Sequence, residues 1–214
     1  MTAGSTEDLA IRWSALWARL RLPIPPGADF AALLARYREA HRAYHTDQHL
    51  RECLEWLDEL RALARDPAAL ELAIWYHDAI YRPRRSDNEQ SSADLAAADL
   101  RAAGATGPLI AEVSALILAT MHRATPPPGD AALLADIDLA ILGAPAARYA
   151  EYEAQIRTEY RWAPGFLFRR RRVALLREFL ARPRLYSTTE LFDRLEAQAR
   201  LNLANAIHAL SPEG

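Results

Sequence analysis

Three places in this chain hold side chains of metal-ligand type, two of them inside apolar sequence. The first holds His45 and His49, two of only six histidines, four residues apart at the mouth of a helix. That spacing brings two side chains to one helical face. In the second, His77 and Asp78 follow the apolar run Leu72-Ala73-Ile74-Trp75-Tyr76. An imidazole and a carboxylate buried there are costly unless something satisfies both. A divalent cation does so by taking nitrogen and oxygen ligands together. The third place is Leu133 to Leu142, apolar apart from Asp136 and Asp138. Two residues apart on a helix, these carboxylates diverge by roughly 200° and cannot share a target. Which of them faces a site stays open on spacing alone. Each feature also has an ordinary reading as a helix cap, a buried imidazole on a backbone carbonyl, or an aspartate paired with arginine. Together, three apolar helices each supply a group of metal-ligand type.

The segments Tyr44-His45-Thr46-Asp47-Gln48-His49, Trp75-Tyr76-His77-Asp78-Ala79-Ile80-Tyr81 and Asp136-Ile137-Asp138-Leu139 resemble, in order and context, the H…HD…D signature of the HD superfamily of metal-dependent phosphohydrolases. Ser86 to Ala93 resembles the stretch that follows the HD pair in many members, and the combination is similar to a bacterial subgroup of predicted HD phosphohydrolases. The resemblance covers about Arg42 to Leu142, and more loosely the rest of the C-terminal half. It implies an all-α, HD-type bundle in which His49, His77, Asp78 and Asp138 ligate one ion. Asp138 is favoured over Asp136, and His49 over His45, by the family pattern alone. His45 then matches a position that donates a proton to the leaving oxygen in related phosphodiesterases.

One departure is Asn88, which stands where many two-metal members carry a histidine before the glutamate, here Glu89. The resemblance therefore implies one divalent ion, with a second left open. Glu89 is a candidate for orienting water or contacting substrate, and equally an acidic residue stabilising the first turn of its helix. His122, beside Arg123, is a candidate second-metal or substrate contact, and equally a cation at a helix C-terminus. The loop carrying Arg82, Arg84 and Arg85 follows the metal pair directly. It reads as a phosphate clamp, with Arg82 and Arg85 as its members, or as a solvated basic loop.

The chemistry implied is hydrolysis of a nucleotide or other small phosphate ester, with Asp78 and His45 as the catalytic residues. A bound divalent ion lowers the pKa of water and polarises phosphoryl oxygen, and a histidine titrating near neutrality suits a general acid. Mn, Fe, Zn, Co, Ni or Mg fits, and the ligand types do not choose among them. Two rivals keep the ligands but not the activity: a di-iron oxygenase on the same scaffold, and a non-catalytic metal- or nucleotide-binding regulatory module.

The elements that must hold these residues are helices. The chain has 44 Ala and 32 Leu but two Val, and Val, Ile and Thr together make 21 of 214 residues, so a large sheet is disfavoured. Prolines and caps divide it into ten segments: about Glu7–Leu22, Phe30–Ala43, Thr46–Ala64, Pro67–Tyr81, Ser86–Gly104, Pro108–His122, Asp130–Gly143, Pro145–Trp162, Gly165 to before Pro183, and a last helix to Leu210. The last opens with Ser187-Thr188-Thr189-Glu190, a capping-box pattern. No repeat or long linker divides the chain, so the expectation is a single all-α domain of eight to ten helices over 1–214. Its signature region is 42–142, with helices from 145–210 packed on it.

Composition removes other classes. A formal net charge of −2 gives no electrostatic reason for nucleic acid or an anionic membrane as partner. All 26 basic residues are arginine, which excludes Schiff-base and P-loop lysine chemistry. The single Cys53 excludes an intramolecular disulfide or a cysteine metal cage. Thr2 to Asp8 is polar and acidic, unlike a signal peptide, and no apolar stretch approaches a membrane span, so the expected compartment is the cytoplasm. Trp13, Trp17, Trp56 and Trp75 read as core. Arg169 to Arg172 would wrap round its helix rather than form one patch.

Overall fold

The structure, a computed structural model, describes residues 5–211. Among these residues there are ten α-helices, three short 3-10 turns and no strand, so the expected all-α bundle is what the chain forms. The helices are α1 (Thr6–Leu20), α2 (Phe30–Tyr37), α3 (Asp47–Leu60), α4 (Pro67–Tyr76), α5 (Asn88–Ala102), α6 (Gly107–Ala119), α7 (Asp130–Asp138), α8 (Ala146–Glu159), α9 (Gly165–Leu180) and α10 (Thr189–Leu210). None of them is long and apolar enough to cross a membrane.

The hub is α4. Asp66 caps it by accepting from the Ala68 and Ala69 N–H groups, Pro67 fits its first turn, and every residue from Ala69 to Tyr76 is buried. A helix apolar on all sides belongs inside a protein, and α1, α3, α5, α6 and α7 all pack on this one. From α1, Leu9, Trp13, Leu16 and Trp17 face it on a single stripe. Trp13 meets Trp75 edge-on at 5.1 Å, and the Trp13 indole N–H donates to the Ala28 carbonyl. Fully burying such side chains contributes roughly 1.5–3 kcal/mol each. Trp13, Trp17 and Trp75 are core as expected, whereas Trp56 is only partly buried.

Several helices stop short of the sequence expectation, and the shortfalls cluster round one place. α2 ends at Tyr37 rather than Ala43, α4 at Tyr76 rather than Tyr81, and α6 at Ala119 rather than His122. Beyond α4 the carbonyls of Asp78 and Ala79 accept from the buried Arg42 guanidinium at 2.7 and 3.1 Å, and the Ile80 N–H donates to Ser92 Oγ. Side chains have taken the bonds that would have continued the helix. α7 tightens after Asp138 into a 3-10 turn, Leu139–Gly143, on which α8 and α10 pack. Gly143 is required there, because a Cβ would stand 2.7 Å from Leu195 Cβ and 2.9 Å from its carbonyl oxygen.

The capping box expected at Ser187 does not form. Thr188 is the N-cap of α10 without a side-chain cap bond, because its hydroxyl donates to Asp136 at 2.6 Å. Of the Arg169–Arg172 run, Arg172 is buried against Glu153 and the other three are exposed.

Candidate metal centre

The ends of three helices converge on one point. His49 lies in the first turn of α3 behind the Thr46 cap, His77 and Asp78 stand just beyond α4, and Asp138 closes α7. His49 Nε2 is 3.0 Å from Asp138 Oδ1, 3.1 Å from His77 Nε2 and 3.6 Å from Asp78 Oδ2. His77 Nε2 is 3.2 Å from Asp78 Oδ2 and 3.6 Å from Asp138 Oδ1. Atoms bound about 2.1 Å from a common ion lie about 3.0 Å apart at right angles and about 3.4 Å apart at the tetrahedral angle. The observed separations span that range, so the two imidazole nitrogens are spaced from each other and from each carboxylate as ligands of one ion would be. The donor set fits a divalent transition metal.

The atoms behind the ligands orient them. His77 Nδ1–H donates to the Ile74 carbonyl at 2.8 Å, which leaves the Nε2 lone pair for the cluster when the ring is neutral. His49 Nδ1 lies 3.0 Å from the buried Tyr44 hydroxyl, a contact that fixes the orientation of the ring. Asp138 turns its second oxygen to His122 Nε2–H at 2.8 Å. His122 is held at φ 53, in the left-handed region that few non-glycine residues adopt. Its carbonyl accepts from Arg182 at 2.7 Å, which helps fix that conformation.

Charge inside the cluster is lopsided. Burial pushes the Asp78 carboxyl up, but the His77, His45 and His49 imidazoles outweigh it and hold it well below the usual carboxylate range. Asp138 is likewise held down against burial, by hydrogen bonds from His122, His49 and His77. Burial opposes protonation of His77, yet Asp78 and Asp138 raise its pKa well above the ordinary value. Two anionic carboxylates therefore demand positive charge at the centre, supplied by protons on the rings or by a cation.

Cys53 was not foreseen as a neighbour of the site. One turn after His49, its Sγ lies 3.7 Å from both ring nitrogens, against the side of the imidazole. His49, Cys53, His77 and Asp138 each offer a ligand atom, and these atoms all lie within 4.8 Å of one another. The i, i+4 step from His49 was the available signal.

His45 is corrected in position. It precedes the Thr46 cap and so does not share a helical face with His49. Its ring stacks on Tyr81 at 4.0 Å, and Nδ1–H donates to Glu159 Oε2 at 2.7 Å. The N–H groups of Ala43, Tyr44 and His45 all donate to Glu159 Oε1 at 2.8–3.0 Å, and the Tyr81 hydroxyl donates to Oε2. Burial would raise the Glu159 carboxyl, but His45 and these backbone groups bring it down to about 2. Burial lowers the His45 pKa, and Glu159, Asp78 and Asp138 more than reverse that. Glu159 lies 114 residues from His45 and carries no motif, so the sequence offered no signal for it. The same holds for Arg42, whose guanidinium ties the carbonyl of His45 to those of Asp78 and Ala79.

Asp136 and Asp138 part as their angular separation requires. Asp136 is 1% exposed and accepts from the Ser187 N–H, the Thr188 N–H and the Thr188 hydroxyl at 2.6–2.8 Å, pinning the start of α10. Asp138, at the cluster, keeps 17% side-chain exposure. Of the loop arginines, Arg82 is held by Glu39 at 2.9 Å and stays half-exposed, and Arg85 pairs with the exposed Asp87. Arg84 stacks over Trp162 at 4.7 Å. The clamp read from the loop is not assembled. Asn88 accepts from the Arg82 N–H and donates to the Arg82 carbonyl, closing that loop rather than facing the cluster. Glu89 is near enough to Asp78 and Asp138 to feel them. Burial first, then their charge, raises its pKa.

A pocket of about 210 Å³ opens beside His49 and Asp138, walled by Cys53, Trp56, Ile141 and Arg148. Arg148 is itself held by both oxygens of Glu52 at 2.7 and 3.0 Å. Compared with protein-family models, with curated proteins and with solved structures, the chain gave no match.

Proposed function

We propose that this chain is a metal-dependent phosphohydrolase of HD type acting on a nucleotide or another small phosphate ester. The observation that carries the reading is the spacing of His49, His77, Asp78 and Asp138, in which the two imidazole nitrogens stand 3.0–3.6 Å from each other and from both carboxylates. These four would hold the ion, and when bound it supplies an acidified water and neutralises phosphoryl oxygen.

The chain's own residues supply the rest. Asp78 keeps 14% side-chain exposure, so its carboxylate reaches solvent and orients the attacking water. His45, held by Glu159 through Nδ1, presents Nε2 as the proton donor to the leaving oxygen. Against burial, Glu159, followed by Asp78 and Asp138, raises the His45 pKa above the ordinary histidine value. Tyr81 stacks on the ring and bonds the same glutamate, which limits rotation of the donor.

The test is metal analysis of protein purified without chelator, followed by a phosphatase screen with Mn, Fe, Zn, Co, Ni or Mg added. A bound transition metal and metal-dependent release of phosphate are expected. Absence of turnover with every ester despite stoichiometric metal would favour a binding module instead.

A further inference from the structure

A second cleft, of about 570 Å³, opens on the far side of His122 between the α6–α7 loop and the α9–α10 loop. Arg123, Arg182 and Arg184 all line it. Arg182 is half-buried, and Arg123 and Arg184 are exposed. None of the three holds a carboxylate among the described residues. Arg123 donates to the Ser86 carbonyl and Arg182 to the His122 carbonyl. Arg182 lies over the Phe179 ring at 4.4 Å and Arg184 over Phe192 at 4.0 Å. A guanidinium held over an aromatic ring is partly ordered beforehand and can still direct free N–H groups at a planar or tetrahedral anion. The one carboxylate lining the cleft, Asp136, is taken up by Ser187 and Thr188.

From this arrangement we infer that the cleft is an anion site, built for a phosphate group of the substrate other than the one cleaved. His122 makes the connection. Its Nε2–H holds the outer oxygen of Asp138, and its carbonyl holds Arg182, so one residue borders both the cleft and the metal cluster. Arg123 also lies close enough to Glu89, near the cluster, to offset part of the rise that burial causes in that carboxyl's pKa. The ligand class is a small molecule carrying a second phosphate, such as a bisphosphate or a nucleoside polyphosphate. This assignment of substrate class rests on the phosphohydrolase reading; the anion site itself does not.

The probe is inorganic pyrophosphate, titrated by calorimetry at low ionic strength into chelator-treated protein, so that no metal mediates binding. Wild-type protein is expected to bind, less tightly as salt is added. Arg123→Ala/Arg184→Ala is expected to bind at least tenfold more weakly, since hydrogen bonds to charged groups are the strong ones. Both side chains are exposed, so the variant should keep its helical circular dichroism. Arg123→Lys/Arg184→Lys should retain more affinity than the alanine pair. Asp78→Ala, which removes a metal ligand, should bind pyrophosphate as well as wild type does. In turnover, the alanine pair should leave nitrophenyl phosphate hydrolysis unchanged and raise KM at least tenfold for an ester with a second phosphate. Equal pyrophosphate affinity in wild type and the alanine pair, or no binding by wild type, would overturn the site. Arginine-dependent binding with no ester hydrolysed would keep the site and overturn the enzyme reading.

Discussion

Helix α4 carries one buried charge along its length and another just past its end, and the chain treats them in opposite ways. Glu71 is fully buried, yet its two oxygens accept from Arg12, Arg19 and Arg61 at 2.6–2.9 Å. Those arginines come from α1 and from the turn after α3, so the cluster also fastens the bundle. At the other end, His77 and Asp78 meet His49 and Asp138, and Asp138 also meets His122, with no arginine donating to either carboxylate among the described residues. A buried charge surrounded by the chain's own arginines is architecture. One surrounded by imidazoles at ligand spacing is a candidate site.

That contrast can be broken or sharpened by substitution. The largest effect belongs to Asp78→Ala, which should abolish metal-dependent hydrolysis and lower metal content while the far-ultraviolet circular dichroism stays helical. Retained turnover with full metal occupancy would refute the comparison at its functional end.

His45→Ala comes next. It should keep the metal and slow hydrolysis by a factor on the order of 10²–10⁴, less for nitrophenyl esters, whose leaving group needs no proton. Loss of metal in this variant would make His45 a ligand.

Glu71→Gln should act on stability alone, lowering it by about 3 kcal/mol by breaking a buried ion cluster, with metal stoichiometry unchanged. Urea unfolding and metal analysis on the same sample decide this. The pH response is gentler. The Glu159 carboxyl is depressed, so its stabilising contribution is fully present above about 4.5 and is lost as pH falls toward about 2. Unfolding midpoints should fall over that acid window, and Glu159→Gln should flatten the fall.

The bundle was legible in the sequence because its signals are local. Pro67 behind Asp66, the Leu9-Trp13-Leu16-Trp17 stripe and the scarcity of valine each point to helices without reference to the rest of the chain. His77 and Asp78 were legible because they follow an apolar run where polar groups need a reason, whereas His49 over His45 and Asp138 over Asp136 were singled out only by the resemblance to the HD pattern. The helix ends around the site were not, because side chains from far along the chain set them. Arg42 takes the carbonyls past α4, and Glu159 takes the N–H groups before α3. The arginine loop misled for a related reason. Proximity in sequence to His77 and Asp78 said nothing of Glu39 and Asp87, which hold Arg82 and Arg85.

The central claim is that Asp138, not Asp136, joins His49, His77 and Asp78 round one ion. Metal content per chain, measured by elemental analysis on protein purified without chelator, tests it most directly in two isosteric variants. Asp138→Asn should lose most of the metal that wild type carries. Asp136→Asn should keep it and lose only about 1–2 kcal/mol of stability, from the weakened bonds to Ser187 and Thr188. Metal stripped by Asp136→Asn but retained by Asp138→Asn would contradict the account.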